Sequence, residues 1–89
     1  MATVQVRLAP LLYSYTGGAK VITVEASSVA EAFEALDRRY PGIAFRVIDE
    51  QRQIRPHMNV FLGEDSVRDI QTPIPAAAEI YIVGALSGG

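Results

Sequence analysis

One stretch of this sequence carries every signal of an amphipathic helix, and its position constrains the fold more than any other feature. Ser28 and Glu31 form a capping-box pattern, in which the serine hydroxyl accepts an N–H bond and the glutamate reaches back. Pro41 and Gly42 predict where the helix ends. The apolar residues between these signals share one helical face: Val29, Ala32, Phe33, Leu36 and Tyr40. A single helix of this kind can cover only one face of a sheet.

Strand-like segments flank the helix on both sides, because polar and apolar residues alternate there with the period of two that half-buried strands show. These segments are residues 3–9, 20–25, 57–62 and 79–83. Gly17 and Gly18 predict a hairpin turn between the first two, and the helix supplies the crossover that a parallel strand pair needs. We therefore expect an α+β fold with a mixed four- to five-stranded sheet and one main helix on one face, spanning residues 1–84.

The connecting segments are less regular. Residues 63–66 have turn composition, residues 49–55 predict a loop or a weak hairpin, and residues 69–78 predict irregular structure. Residues 43–48 are compatible with one more helical turn, although the pattern there is too short to decide. We expect a single domain, since no repeat or linker interrupts the pattern.

The composition excludes several kinds of site. The 89 residues include no cysteine, which rules out disulfides, thiolate metal sites and a redox cysteine pair. With 8 basic and 10 acidic residues the net charge is −2, a poor match to the phosphates of nucleic acid. No apolar stretch approaches the roughly 18–20 residues of a membrane-spanning helix, and the first residues lack the pattern of a signal peptide. We therefore expect a cytoplasmic protein with no metal and no nucleic-acid or membrane partner.

Few side chains could carry catalysis. His57 is the single histidine, and nothing supplies further metal ligands at a usual spacing. A Ser–His–Asp triad stays open on sequence alone, although no nucleophile-elbow pattern marks one. Glu64 and Asp65 are adjacent carboxylates in a turn-like segment, where solvation is a simpler interpretation than acid–base work. The segment from Gly17 to Lys20 lacks the length and the Ser/Thr of a phosphate loop. We expect no catalytic residue in this chain.

The closing residues are the most unusual feature of the sequence. Gly88 and Gly89 follow the last strand-like segment and a short exit. The six residues from Gly84 to Gly89 can extend about 20 Å, far enough to enter the active site of another protein. Glycine has no Cβ and can pass through a channel too narrow for other residues. A frayed end or an expression remnant is the alternative, but the pattern favours a functional, flexible tail over residues 85–89.

Taken with these features, the sequence resembles the ubiquitin-like sulfur carriers of the MoaD/ThiS family, which share the β-grasp fold. The resemblance rests on residues 28–42, residues 55–62, the Glu64-Asp65 turn, Thr72-Pro73 and the closing glycines. The segment RPHMNVFL is most similar to the CysO-type branch, whose carriers serve cysteine biosynthesis. One departure is Gly84, where the family usually has a proline.

The resemblance implies a function for the tail. An E1-like partner would use ATP to adenylate Gly89, and sulfur would then replace the adenylate to give a C-terminal thiocarboxylate. A synthase resembling cysteine synthase, molybdopterin synthase or another biosynthetic enzyme would accept the sulfur. Gly88, Ser87 and Leu86 would form the tail that presents Gly89. The chain itself would be a co-substrate of its partners and not an enzyme, with no bound cofactor.

A partner must also recognise the body of such a carrier. Strand alternation places Asn59, Phe61, Tyr81 and Val83 on the sheet face that the helix leaves uncovered, with Leu86 at the base of the tail. An exposed aromatic and aliphatic patch is typical of a partner surface, and we favour this interpretation over the alternative of ordinary half-exposed strand residues. Two other functions stay open at this point: a protein modifier joined to lysines through the same tail, and a β-grasp interaction domain with an idle tail.

Overall fold

The computed structural model describes residues 2–75 and 77–84, which form a five-stranded mixed sheet with helices packed on one face. The elements are β1 (Ala2–Arg7), a 3-10 turn (Pro10–Leu12), α1 (Tyr13–Thr16), β2 (Val21–Ala26), α2 (Val29–Arg39), α3 (Ile43–Val47), β3 (Met58–Leu62), β4 (Asp65–Val67) and β5 (Glu79–Gly84). The strand order is β2-β1-β5-β3-β4, with β1 and β5 parallel and every other pair antiparallel. This confirms the predicted α+β fold.

The N-terminus of α2 is capped much as the sequence predicts, with one difference. The Ser28 hydroxyl accepts the Glu31 N–H at 3.2 Å. The Glu31 carboxylate reaches one residue further back, to the Ser27 backbone N–H at 2.8 Å and the Ser27 hydroxyl at 2.6 Å. These two bonds favour the ionised carboxylate and lower the pKa of Glu31. At the other end Tyr40 is the C-cap, with a φ of −135° that is no longer helical. Gly42 then takes a left-handed φ of +96°, which suits glycine, and caps the start of α3.

The apolar core lies between α2 and the sheet. The side chains predicted to point inward do so, apart from Leu62 near the sheet edge, which is half-buried. The inward-facing strand residues are Val4, Val6, Ile22, Val24, Met58, Val60, Ile80 and Ile82, all buried. Phe33 and Leu36 of α2 complete this core, and burial of each such side chain contributes about 1.5–3 kcal/mol. The opposite face of the sheet therefore stays open.

Three local predictions need correction. The connection from β1 to β2 is not a simple glycine hairpin, because buried Leu12 anchors a 3-10 turn that leads into α1; Gly17 then ends α1 with a φ of +69°. The predicted turn at residues 63–66 is confined to Gly63 and Glu64, since Asp65 begins β4. His57 precedes β3 in an exposed turn and is not a strand residue. The undecided residues 43–48 do form a further helix, α3.

Arg68, just after β4, ties the loop before β3 to the sheet. Its guanidinium donates to the carbonyl oxygens of Met58 at 2.7 Å, Ile54 at 3.0 Å and Arg55 at 3.2 Å. A planar fork of donors can serve three carbonyls at once, whereas a lysine ammonium cannot reproduce that geometry. Arg68 therefore fixes where β3 begins.

We expect Arg68→Lys to lower the free energy of unfolding by about 1–2 kcal/mol, because hydrogen bonds from a charged donor are lost while the carbonyls stay in place. Urea unfolding followed by circular dichroism measures the change. Arg46→Ala is the matched control, since Arg46 is exposed on α3 and should shift stability by no more than about 0.5 kcal/mol. Equal effects of the two substitutions would contradict this assignment.

Candidate functional site

The four residues predicted to form a partner surface lie together on the open face of the sheet. Asn59 is the antiparallel partner of Val83, and Phe61 is the partner of Tyr81. Such directly opposed residues have Cβ atoms about 4.5–5.5 Å apart, so the four side chains make one continuous surface. Val83 is 44% exposed and the other three are half-buried. We call these four residues the exposed patch.

Arg7 and Glu79 adjoin the exposed patch, and sequence reasoning missed both. Arg7 is the parallel-register partner of Tyr81, and its guanidinium carbon lies 5.9 Å from the centroid of the Tyr81 ring. The Tyr81 hydroxyl donates to the Glu79 carboxylate at 2.6 Å, and the Arg7 Nε lies 3.6 Å from the same oxygen. The alternation of β1 placed Arg7 on an exposed face, but only the pairing of β1 with β5 brings it to Tyr81.

These contacts set the electrostatics of this corner of the sheet. The hydrogen bond from Tyr81, assisted by the nearby Arg7 charge, lowers the pKa of Glu79 against the opposing effect of desolvation. The same hydrogen bond raises the pKa of Tyr81, because the phenol proton that it would lose is shared with the Glu79 carboxylate. At neutral pH the patch therefore presents a neutral phenol whose donor is already engaged.

We expect Tyr81→Phe to move the pKa of Glu79 back up toward its ordinary value of 4.5. The Glu79 carboxylate loses its strongest partner, while the Arg7 charge stays in place.

The Glu79 contribution to stability is present above pH 4.5 and is lost as pH falls through the folded pKa below it. The Tyr81 contribution is present below pH 10.0 and is lost as pH rises through its raised pKa.

Carbon-13 NMR of the glutamate carboxyl groups during an acid titration measures this shift residue by residue. Tyr40→Phe is the control, since Tyr40 follows α2 on the helical side of the molecule and leaves the Glu79 contacts intact. A Glu79 titration curve identical in Tyr81→Phe and in the unchanged chain would contradict the hydrogen bond as its cause.

Two depressions border the exposed patch. A shallow one of about 680 Å³ lies between Phe61, Tyr81, Glu64 and Ala78. The second, of about 380 Å³, is lined mainly by apolar side chains from the 3-10 turn and the end of β5. Its lining includes Leu8, Pro10, Leu11, Ile82 and Val83. Both depressions open to solvent and continue the surface of the exposed patch.

The tail predicted to carry the reactive group lies outside the described residues. This applies to Leu86, Ser87, Gly88 and Gly89, and to the proposed domain boundary at residue 85. The described chain reaches Gly84, the last residue of β5, which is paired with Met58. The exposed patch therefore shares a strand with the point from which the tail departs.

Other chemistry finds no support in the part of the chain that the structure describes. Within residues 2–75 and 77–84 no His, Asp and Glu side chains cluster as metal ligands, and no buried side chain is polar or charged. The first N–H groups of α2 are not free to bind an anion, because Val29 donates to the Thr72 carbonyl and Ala30 to the Ile70 carbonyl. None of the described helices is both long and apolar enough to cross a membrane.

Comparison with known proteins identifies relatives by structure and not by sequence. No protein-family model matches this sequence, and no curated protein sequence matches it either. A chain of the Amycolatopsis orientalis BexX/CysO complex superposes with a TM-score of 0.88 at 24% identity, covering 97% of this chain and 99% of its own. Mycobacterium tuberculosis CysO gives a TM-score of 0.87 at 22% identity, covering 93% and 99%.

A third similar structure is SAMP1 from Haloferax volcanii, with a TM-score of 0.79 at 22% identity over 99% of this chain and 100% of its own. All three superpositions include nearly the whole of each chain, so the likeness extends to the complete order of strands and helices. The resemblance noted in the sequence is thereby confirmed for the fold: this chain has the β-grasp, ubiquitin-like fold of CysO and SAMP1.

Proposed function

We propose that this chain is a sulfur carrier protein, which acts as a co-substrate of partner enzymes. One observation carries the proposal: the exposed patch is built on β5, the strand that ends at Gly84, five residues before Gly89. A partner held on Tyr81 and Val83 is thus within reach of the tail, which spans at most about 18 Å beyond Gly84. Likeness in fold to CysO supports the same function.

The proposed chemistry takes place at the carboxylate of Gly89. A carboxylate oxygen attacks the α-phosphorus of ATP, which forms an acyl adenylate and releases pyrophosphate. A sulfide sulfur then attacks the acyl carbon and expels AMP, leaving a thiocarboxylate. Because this chain has no cysteine, no internal thiolate competes for the activated acyl group. Catalytic groups are supplied by the partners, and ATP is bound by the activating enzyme.

Two kinds of partner follow from this chemistry. An E1-like adenylating enzyme loads the carrier, and a synthase consumes the sulfur; that synthase is cysteine synthase-like, molybdopterin synthase-like or of another kind. The likeness to CysO within a BexX/CysO complex supports recognition of this fold by a protein partner. We place the carrier in the cytoplasm, where ATP is available to the activating enzyme.

Intact-mass spectrometry tests the proposal. The chain is incubated with the E1-like enzyme of its own organism, ATP and sulfide, and we expect the mass gain of one oxygen-for-sulfur exchange, located at Gly89 by fragmentation. Omission of ATP is the control and should leave the mass unchanged. An enzyme shown to load another carrier, yet producing no mass gain on this chain, would contradict the proposal.

A second function is favoured by the likeness to SAMP1, a small archaeal modifier protein. The same activated Gly89 would then form isopeptide bonds with lysines of target proteins. Lys20 is the only lysine of this chain and is exposed, so it is the one side chain on which chains of the modifier could be built. Higher-mass adducts that resist reductant on blots of a cell lysate would favour this modifier function over sulfur transfer.

A further inference from the structure

Leu11 lies directly against Gly84, the last residue of β5. A Cβ added to Gly84 would overlap the Cδ2 atom of Leu11 and would lie 3.6 Å from the Sδ atom of Met58. The leucine methyl thus fills the space that a side chain at position 84 would need. Glycine is required here by close approach and not by backbone conformation, since Gly84 is a strand residue without positive φ.

Both partners in this contact are held firmly. Leu11 belongs to the 3-10 turn, which starts at Pro10 and is anchored by Leu12, a fully buried residue whose N–H donates to the Ala9 carbonyl at 2.9 Å. Gly84 is paired in register with Met58, which is also fully buried. The backbones on both sides are therefore held by the core, whereas the contact itself is made by the exposed end of the Leu11 side chain, which a new side chain at position 84 would displace.

Leu11 is 43% exposed and lies outside the core. It lines the 380 Å³ apolar depression beside the exposed patch without belonging to the patch. Its side chain is therefore in contact with the last described residue of the chain, from which the tail departs.

We propose that Leu11 is a positioning residue: by packing on Gly84 it holds the end of β5, to which the tail is attached, and so controls how efficiently Gly89 is adenylated. This inference rests on the proposed function and adds a residue that neither the tail nor the exposed patch contains. Recognition and positioning are then separate, because the patch holds the partner while Leu11 holds the end of β5. Loss of positioning lowers the rate of reaction within the bound complex, whereas loss of recognition weakens binding.

Changing the sizes of the side chains at positions 11 and 84 tests the contact, and the assay is pyrophosphate release by the E1-like enzyme. We expect Leu11→Ala to lower kcat on the order of 3- to 10-fold and to leave KM within about twofold. Leu11→Met should keep most of kcat, since methionine can still cover Gly84. Gly84→Ala alone should also lower kcat, because the new Cβ displaces Leu11.

The double variant Leu11→Ala with Gly84→Ala should recover part of the loss, because the new methyl enters the space that the leucine vacates. Val21→Ala is the control: Val21 is 38% exposed on β2, lies away from Gly84 and should leave kcat unchanged. An unchanged kcat in Leu11→Ala, a rise in KM instead, or strictly additive losses in the double variant would each overturn the proposal.

Failure of the proposed function gives a different result. In that case the unchanged chain itself releases no pyrophosphate with an active enzyme, and no variant differs from it. Thermal unfolding of the unchanged chain, Leu11→Ala, Gly84→Ala and the double variant then still reports on the packing of Leu11 on Gly84. Additive changes in Tm would overturn the packing of Leu11 on Gly84, whereas non-additive changes would support it.

Discussion

Removal of Gly89 is expected to reduce adenylation by at least about 100-fold while the domain keeps its stability. Each residue of an extended chain spans about 3.3–3.6 Å, so the new carboxylate of Gly88 would fall short of the ATP phosphate by that distance. Displacements of even about 1 Å can lower a rate by about 100-fold when reacting atoms must meet in line. All of the described strand pairs and core contacts end at Gly84 and stay in place.

The measurement is pyrophosphate release with the E1-like enzyme, with intact mass after addition of sulfide and Tm as a check on folding. Gly89→Ala is the length-matched comparison, and we expect an intermediate loss, since the reach is kept and only one methyl is added. Full adenylation of the shortened chain would place the activated carboxylate elsewhere and would rule out Gly89 as the site.

Phe61→Ala is expected to raise the KM of the carrier for its activating enzyme by about 10- to 50-fold with little change in kcat. Aromatic residues at the centre of an interface contribute a disproportionate share of binding energy, on the order of 2 kcal/mol each. Phe61 opposes Tyr81 on the open face, so its truncation removes half of an aromatic pair. Steady-state kinetics at varied carrier concentration separates KM from kcat.

Phe45→Ala is the matched control for this substitution. Phe45 is more than half exposed, at 55%, but it lies on α3, on the helical side of the molecule. The two variants lose the same side chain from opposite surfaces, and Tm corrects for any difference in stability. An equal rise in KM for both would show that the open sheet face is not the docking surface.

Local sequence signals predicted the parts of the fold that local physics determines. The cap at Ser28 and the stop at Gly42 located α2. Period-two alternation also placed Phe61 and Tyr81 on the face away from the helix, and the register then proved them direct partners. Alternation works here because one sheet face is covered and the other is open, so a shift of one residue would bury polar side chains.

The missed features depend on contacts between segments distant in the chain. The three residues of β4 are too few to show alternation, and they form a strand only because β3 offers them an edge. Arg7 and Glu79 meet through the parallel pairing of the first and last strands, and Leu11 reaches Gly84 through the same pairing. The sequence pattern of a single segment does not show which residues of a distant segment it will contact. The exposed patch was therefore predicted, whereas its neighbours were not.

The place of β5 in the middle of the sheet has a consequence for synthesis on the ribosome. β1 and β3 do not pair with each other; each pairs with β5, so residues 79–84 join the two halves of the sheet. A nascent chain that lacks this segment would present two unpaired inner edges, which favour aggregation. Cooperative folding must therefore wait until residues 79–84 have left the ribosome, and such non-local pairing slows it further. A chain that terminates before β5 would thus remain unfolded and be degraded by proteases, and it would have no carrier activity.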